Sequence, residues 1–146
     1  MTKLCLPCSD TQVNIAPFSV KIDNMAIESL GRDPDSILRE GEPFNISVDV
    51  HFSGPGTAAL MPLELPIHVI FSAESIGPGP ELDLGKATVK TECGKNSYTV
   101  TLKVAANPLT AERVYKLAAT VRVGAMNCPA LVNGFISGGA LEIYNP

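Results

Sequence analysis

The sequence predicts an all-β protein, an antiparallel β-sandwich of seven or eight strands, and three observations carry that reading. Apolar residues recur with period two rather than 3.6 in run after run, the pattern of strands with one buried face. Clusters of Gly, Pro, Asn and Asp separate the runs at fairly regular spacing: "GRDPD", "REGEP", "SGPG", "GPGP", "CGKN", "NPLT" and "VNG". Helical character is confined to "DPDSILREG", which suits at most one short turn near residues 35–39.

The elements follow in order. The first strand, "TQVNIAPFSVKI", changes phase: Val13 and Ile15 are odd-numbered, Phe18, Val20 and Ile22 even, and Pro17 sits at the change. Proline within a strand marks an edge or a bulge, and a bulge shifts register by one residue, so a kink at Pro17 is expected. In "PFNISVDVHFSG", Phe44, Ile46, Val48, Val50 and Phe52 alternate with Asn45, Ser47, Asp49 and His51. "PIHVIFSAES" repeats the pattern with Ile67, Val69, Phe71 and Ala73, and "SYTVTLKVAA" with Tyr98, Val100, Leu102 and Val104. "RVYKLAATVRVG" sets Tyr115, Leu117, Ala119, Val121 and Val123 on one face. "ATVKTE" and a final "GGALEIY" are weaker strands, and Asn133-Gly134 suits a tight hairpin inside the stretch "GAMNCPALVNGFISGG".

One stretch carries a resemblance. In "NPLTAERVYKL", Leu109, a loop and then Tyr115 opening an alternating strand resemble the tyrosine corner of fibronectin type III and immunoglobulin-like domains. The resemblance implies an immunoglobulin-like sandwich whose Tyr115 phenol bonds backbone a few residues upstream. Two features depart from the antibody pattern: there is no Trp on the strand around Val69, and Cys93 and Cys128 are not spaced as its inter-sheet bridge. Such folds host many unrelated activities, so the resemblance implies nothing about function.

A chain of 146 residues suits one domain, assigned to residues 11–146 with a flexible arm over 1–10. Charged residues make up only 18%, below the roughly 25% of an average domain, so part of the apolar surface is expected to face a partner. A net charge of −4, with Lys and Arg dispersed, argues against nucleic acid. The richest apolar run, "TAALMPLELPIHVIF", is interrupted by Pro62, Glu64, Pro66 and His68, too short for a membrane span. With no signal-like segment at its start, the chain is expected to be cytoplasmic.

Cysteine chemistry is the first candidate. "CLPC" places Cys5 and Cys8 at the spacing of a redox dithiol or half a zinc knuckle. The redox reading lacks a strand before Cys5 and a helix after Cys8, and a lipid anchor lacks an apolar segment upstream. With Cys93 and Cys128 there are four thiols, the number a structural zinc takes, although the second pair lies far apart in sequence. The remaining reading is an arm carrying reduced thiols. Among other groups, His51 and His68 fall on outward phases, and a metal or catalytic role for them needs a third group from a neighbouring strand. Asp33, Asp35, Glu40 and Glu42 crowd one loop without the order of a calcium-binding loop. Asn45 fits a glycosylation acceptor, relevant only to a secreted chain. No G-x-S-x-G elbow anchors a hydrolase triad, and no cofactor is expected.

Two loops, "GTAALMPLELP" and "GAMNCPALVNGFISGG", are more apolar than sandwich loops usually are. Either they fold over the open ends of the core or they form a contact patch, with Leu60, Met61, Leu63, Met126, Leu131 and Phe135 as its residues. The function expected is therefore a non-enzymatic protein-interaction or assembly module. It would contact another protein or a second copy of itself through these loops, or through the first or last strand as an open edge. The alternatives are a sandwich binding a small hydrophobic ligand between its loops, and an enzyme whose site is assembled from dispersed residues.

Overall fold

A computed structural model of the chain describes residues 18–29, 37–79, 81–105, 107–125 and 129–144. Alternation becomes strand wherever it was strong. Strands β1 (Ser19–Ser29), β2 (Ile37–Arg39), β3 (Phe44–Ser53), β4 (Pro66–Ser75), β5 (Glu81–Lys90), β6 (Ser97–Val104), β7 (Arg113–Val123) and β8 (Val132–Tyr144) form two sheets, with one short helix, α1 (Thr57–Leu60), and a 3-10 turn at Met61–Leu63. The protein is all-β. No helix among the described residues is long and apolar enough to cross a membrane.

The smaller sheet has the order β1-β3-β6 and the larger β2-β8-β7-β4-β5. The apolar phases named above meet between them in a single core: Phe44, Ile46, Val48 and Val50 from β3 face Ile67, Val69 and Phe71 from β4 and Tyr115, Ala119 and Val121 from β7, all buried. Complete burial of each Val, Ile or Phe among them contributes about 1.5–3 kcal/mol. The layers also touch along both flanks. On one flank Ile22 of β1 lies over Gly134 of β8; on the other Leu102 of β6 lies against Gly85 of β5, whose φ of +130° favours glycine.

Four expectations are corrected by this architecture. Residues 37–39 are strand rather than helical turn, because Ile37–Arg39 pair with Glu142–Tyr144 of β8 and bury Leu38 completely. That pairing is parallel, so the larger sheet is mixed rather than purely antiparallel. Asn133-Gly134 is not a hairpin turn: both residues lie within β8, paired with Arg122 and Val121. The last strand is not an open edge along its final residues, since β2 covers them. The expected kink at Pro17 lies outside the described residues. Within them the bulge of β1 falls between Asp23 and Ala26, where Asn24 takes a φ of +52°.

The helical segment answers one question about the apolar loops. α1 and the following turn fold over the end of the core, so Leu60 and Met61 are buried and Leu63 packs against them. Glu64, at φ +51°, ends the turn and leads into β4. Of the two readings of this loop, the structure takes the one that closes the core, which removes Leu60 and Met61 as surface contacts.

Candidate functional site

The alternation of β3 puts Asp49 and His51 on the outer face of the smaller sheet, and register supplies their neighbours. Asp23 of β1 lies directly opposite Asp49, and Lys21 opposite His51. On the other side, Ser97 and Thr99 of β6 lie opposite His51 and Asp49. The imidazole is held at both nitrogens: Nδ1 is 2.9 Å from the Ser97 hydroxyl and Nε2 is 2.9 Å from Asp23 Oδ1. Asp49 accepts from Thr99 Oγ1 at 2.7 Å and from Asn24 Nδ2 at 3.0 Å, the latter reaching across from the bulge. Lys21 Nζ stands 3.4 Å from Asp23 Oδ2.

Partial burial pushes the Asp23 carboxyl up, but the hydrogen bonds and charges of His51 and Lys21 outweigh it and hold it below the usual carboxylate range. The donor atoms of Asp23, Asp49 and His51 all lie within 4.8 Å of one another. Serine, imidazole and carboxylate stand in one hydrogen-bonded series here. The serine sits on Nδ1 and the carboxylate on Nε2, the reverse of a hydrolase triad.

The outer face of the larger sheet has a different chemistry. Its register aligns Lys86 of β5, Ile70 of β4, Thr120 of β7 and Phe135 of β8 across the strands. Phe135 is 66% exposed and Ile70 46%, while Ser72 and Ala118 beside them are half-buried and small. To one side of this row stand Lys90, Arg122 and His68, with Lys86 at its β5 end, and to the other Asp83, Glu74, Glu81 and Glu142, with Lys116 among them. Arg113, on the opposite phase of β7, reaches the Pro78 carbonyl at 3.0 Å. The face is therefore electrically divided along the strand direction.

His68 reports the positive half directly. Burial lowers its pKa below the usual histidine value, and the charges of Lys86 and Arg122 lower it further. Its Nδ1 is 3.0 Å from Thr88 Oγ1, and among the described residues its buried Nε2 meets no hydrogen-bond partner. A neutral imidazole is the consequence.

The remaining candidates fall as follows. Cys5, Cys8, Cys128 and Met126 lie outside the described residues, as do Asp33 and Asp35; Cys93 is exposed with a free thiol in the turn before β6. Glu42 accepts the Arg39 N–H at 3.2 Å and Glu40 the Ala111 N–H, so these carboxylates organise two loops. A cavity of about 410 Å³ opens beside them, lined by Arg39, Glu40, Gly41 and Glu42. Leu131 is half-buried against the core, and among the described residues of the expected contact set Phe135 is the one with an exposed side chain. Sequence reasoning missed Asp23, Ser97 and Ile70 as site residues, because each gains its neighbours through register. The only sequence signal was their outward phase.

No family model matches the chain, and no curated protein matches it. Among solved structures, a β-glucosidase from Listeria innocua is similar over 90% of this chain and 17% of its own, at 9% identity and a TM-score of 0.43. The same enzyme in complex with isofagomine aligns at 10% identity over the same shares. The sporulation control protein Spo0M from Bacillus subtilis is similar over 92% of this chain and 51% of its own, at 9% identity and a TM-score of 0.38. The chain thus spans about a sixth of the glucosidase and half of Spo0M.

Proposed function

We propose that this protein is a non-enzymatic assembly module that pairs with a second copy of itself through the outer face of the larger sheet. The observation that carries the reading is the exposed Phe135 and Ile70 on the boundary between a positive and a negative half of one face. Large apolar side chains presented together on a sheet favour association, and the flanking charges decide its geometry. A two-fold axis along the strands would set like charges against each other. An axis across the strands sets the Lys86, Lys90 and Arg122 side of one copy over the Glu74, Glu81 and Asp83 side of the other. The second arrangement is self-complementary, as an isologous dimer requires.

The finer fold assignment belongs to the same reading: an immunoglobulin-like or fibronectin type III-like sandwich. It is supported by Tyr115, whose phenol oxygen accepts the Thr110 N–H at 3.0 Å, as in a tyrosine corner. The free Cys93 thiol suits a reducing compartment such as the cytoplasm.

Light scattering after size exclusion, over a concentration series and with reductant varied, tests the proposal. The wild-type chain is expected to run as a dimer independent of reductant, and Phe135→Asp as a monomer with unchanged circular dichroism. A Phe135→Asp variant of wild-type mass removes this face as the contact. A dimer lost on reduction assigns the association to cysteine instead.

A further inference from the structure

We infer that Asp23, Asp49 and His51 form a binding site for a first-row divalent transition metal ion, with zinc as its reference ligand, on the sheet opposite the proposed dimer face. An imidazole nitrogen with two carboxylates suits zinc and its neighbours, whereas calcium and magnesium prefer oxygen throughout. Ligand atoms at about 2.0–2.2 Å from one zinc ion stand about 3.4 Å apart in a tetrahedral shell. The three donors already lie within 4.8 Å of one another, so rotamer adjustment alone brings them to one centre.

The supports around the donors are those of a ligand set. All three come from paired strands rather than loops, with Asp49 and His51 two positions apart on one face and Asp23 fixed across the ladder. Metal-bound histidines bond a second group through their other nitrogen, and here Ser97 Oγ occupies that position at Nδ1. Asp49 is oriented by two neutral donors, Thr99 and Asn24, which leave its charge uncompensated and a lone pair on each oxygen. Opposed carboxylates across a strand pair repel one another. A bound cation relieves the repulsion between Asp23 and Asp49. On binding, Nε2 gives up its contact with Asp23 and presents its lone pair; the ring proton resides on Nδ1, where the Ser97 hydroxyl turns to accept it. The nearby competitor is Lys21, whose side chain is 75% exposed and free to swing into solvent.

Calorimetric titration of the full chain with zinc chloride, and separately with magnesium chloride, tests the site. The cysteines are natural zinc ligands, so the decisive background is the chain carrying Cys5→Ser, Cys8→Ser, Cys93→Ser and Cys128→Ser. One equivalent of zinc is expected in that background, with magnesium far weaker. Asp49→Asn and His51→Gln should each weaken zinc binding at least about 10-fold, and Ser97→Ala about 10-fold. Lys21→Ala should tighten it about three- to ten-fold by removing a competing charge, an outcome that no folding defect produces. Absence of zinc uptake in the cysteine-free chain overturns the inference. So does binding indifferent to Asp49→Asn and His51→Gln. Should those variants lose their circular dichroism, Lys21→Ala decides: unchanged or weaker binding rejects the site.

Discussion

Thr91 latches the end of the core to Met61. Its hydroxyl donates to the Met61 carbonyl at 2.9 Å and accepts the Leu65 N–H at 2.8 Å, while its own N–H donates to the Leu65 carbonyl at 2.9 Å. The residue is fully buried, so no water substitutes for these bonds. Thr91→Val keeps the side-chain shape but orphans one buried carbonyl and one buried N–H, each at a cost of about 1–3 kcal/mol. A loss of roughly 2–4 kcal/mol is expected in urea denaturation, against about 1 kcal/mol for Thr91→Ser, which sheds only a methyl group. A valine variant as stable as wild type would show the latch to be energetically idle.

Two phenols hold loops in the same manner, and removing them separates the loops by rank. Tyr115 accepts from Thr110, whereas Tyr98 accepts the Glu92 N–H at 2.8 Å and donates to the Lys95 carbonyl. The Tyr98 ring also meets Phe52 edge-to-face at 5.9 Å, a contact that phenylalanine keeps. Tyr98→Phe therefore removes two backbone bonds and a buried contact with Met61 Sδ, and Tyr115→Phe one backbone bond with the part-buried hydroxyl contact to Thr110. Expected losses are about 2 and about 1 kcal/mol, with faster amide exchange confined to Glu92 in the first variant and to Thr110 in the second. Exchange that rises evenly over the whole chain in both would contradict local anchoring.

What was legible in the sequence was whatever alternation alone decides. The inward residues of β3, β4, β6 and β7 were readable because each strand has one apolar and one polar phase. β8 was only partly readable: Gly134, Gly138 and Gly139 interrupt its pattern, and Gly134 is small because Ile22 of the other sheet lies over it. A Cβ there would stand 2.5 Å from Ile22 Cδ1. β2 was misread because three residues are too few for any period, and its pairing with β8 spans more than a hundred positions. The polar cluster shows the same limit. His51 and Asp49 announced their outward phase, but Asp23 joins them through a register set beside the Asn24 bulge, and single-sequence periodicity carries no register.

The divided face makes its own prediction about salt. If opposite halves meet across the two-fold axis, association weakens as ionic strength rises, because the charges at the rim of the apolar line are solvent-exposed. Sedimentation at 0.05 and 0.5 M salt is expected to show dissociation several-fold stronger at the higher value, the screening length being several times shorter there. Lys86→Glu should weaken pairing at low salt, with little effect on the stability of the monomer. Association strengthened by salt would mean that apolar burial alone holds the copies together, in a different orientation.

His68 supplies a pH signature of the folded chain. Its pKa lies below the ordinary histidine value of 6.5 in the folded state, through burial first and then the charges of Lys86 and Arg122. Above pH 6.5 both folded and unfolded chains hold the ring neutral, and the full stability is present. As pH falls below 6.5 the unfolded chain takes up a proton that the folded chain resists, so stability declines until the pH reaches the folded pKa, where the slope from this group ends. Asp23 acts in a separate window: its folded pKa is depressed, so its contribution is lost only as pH falls below 3.8 toward the folded value. Urea midpoints at fixed protein concentration between pH 8 and 5 should decline for wild type. They should decline less for His68→Gln, which keeps a polar group beside Thr88 but takes up no proton. Parallel profiles for the two chains would mean that His68 is as easily protonated in the fold as outside it, and that the positive half of the face does not reach its ring.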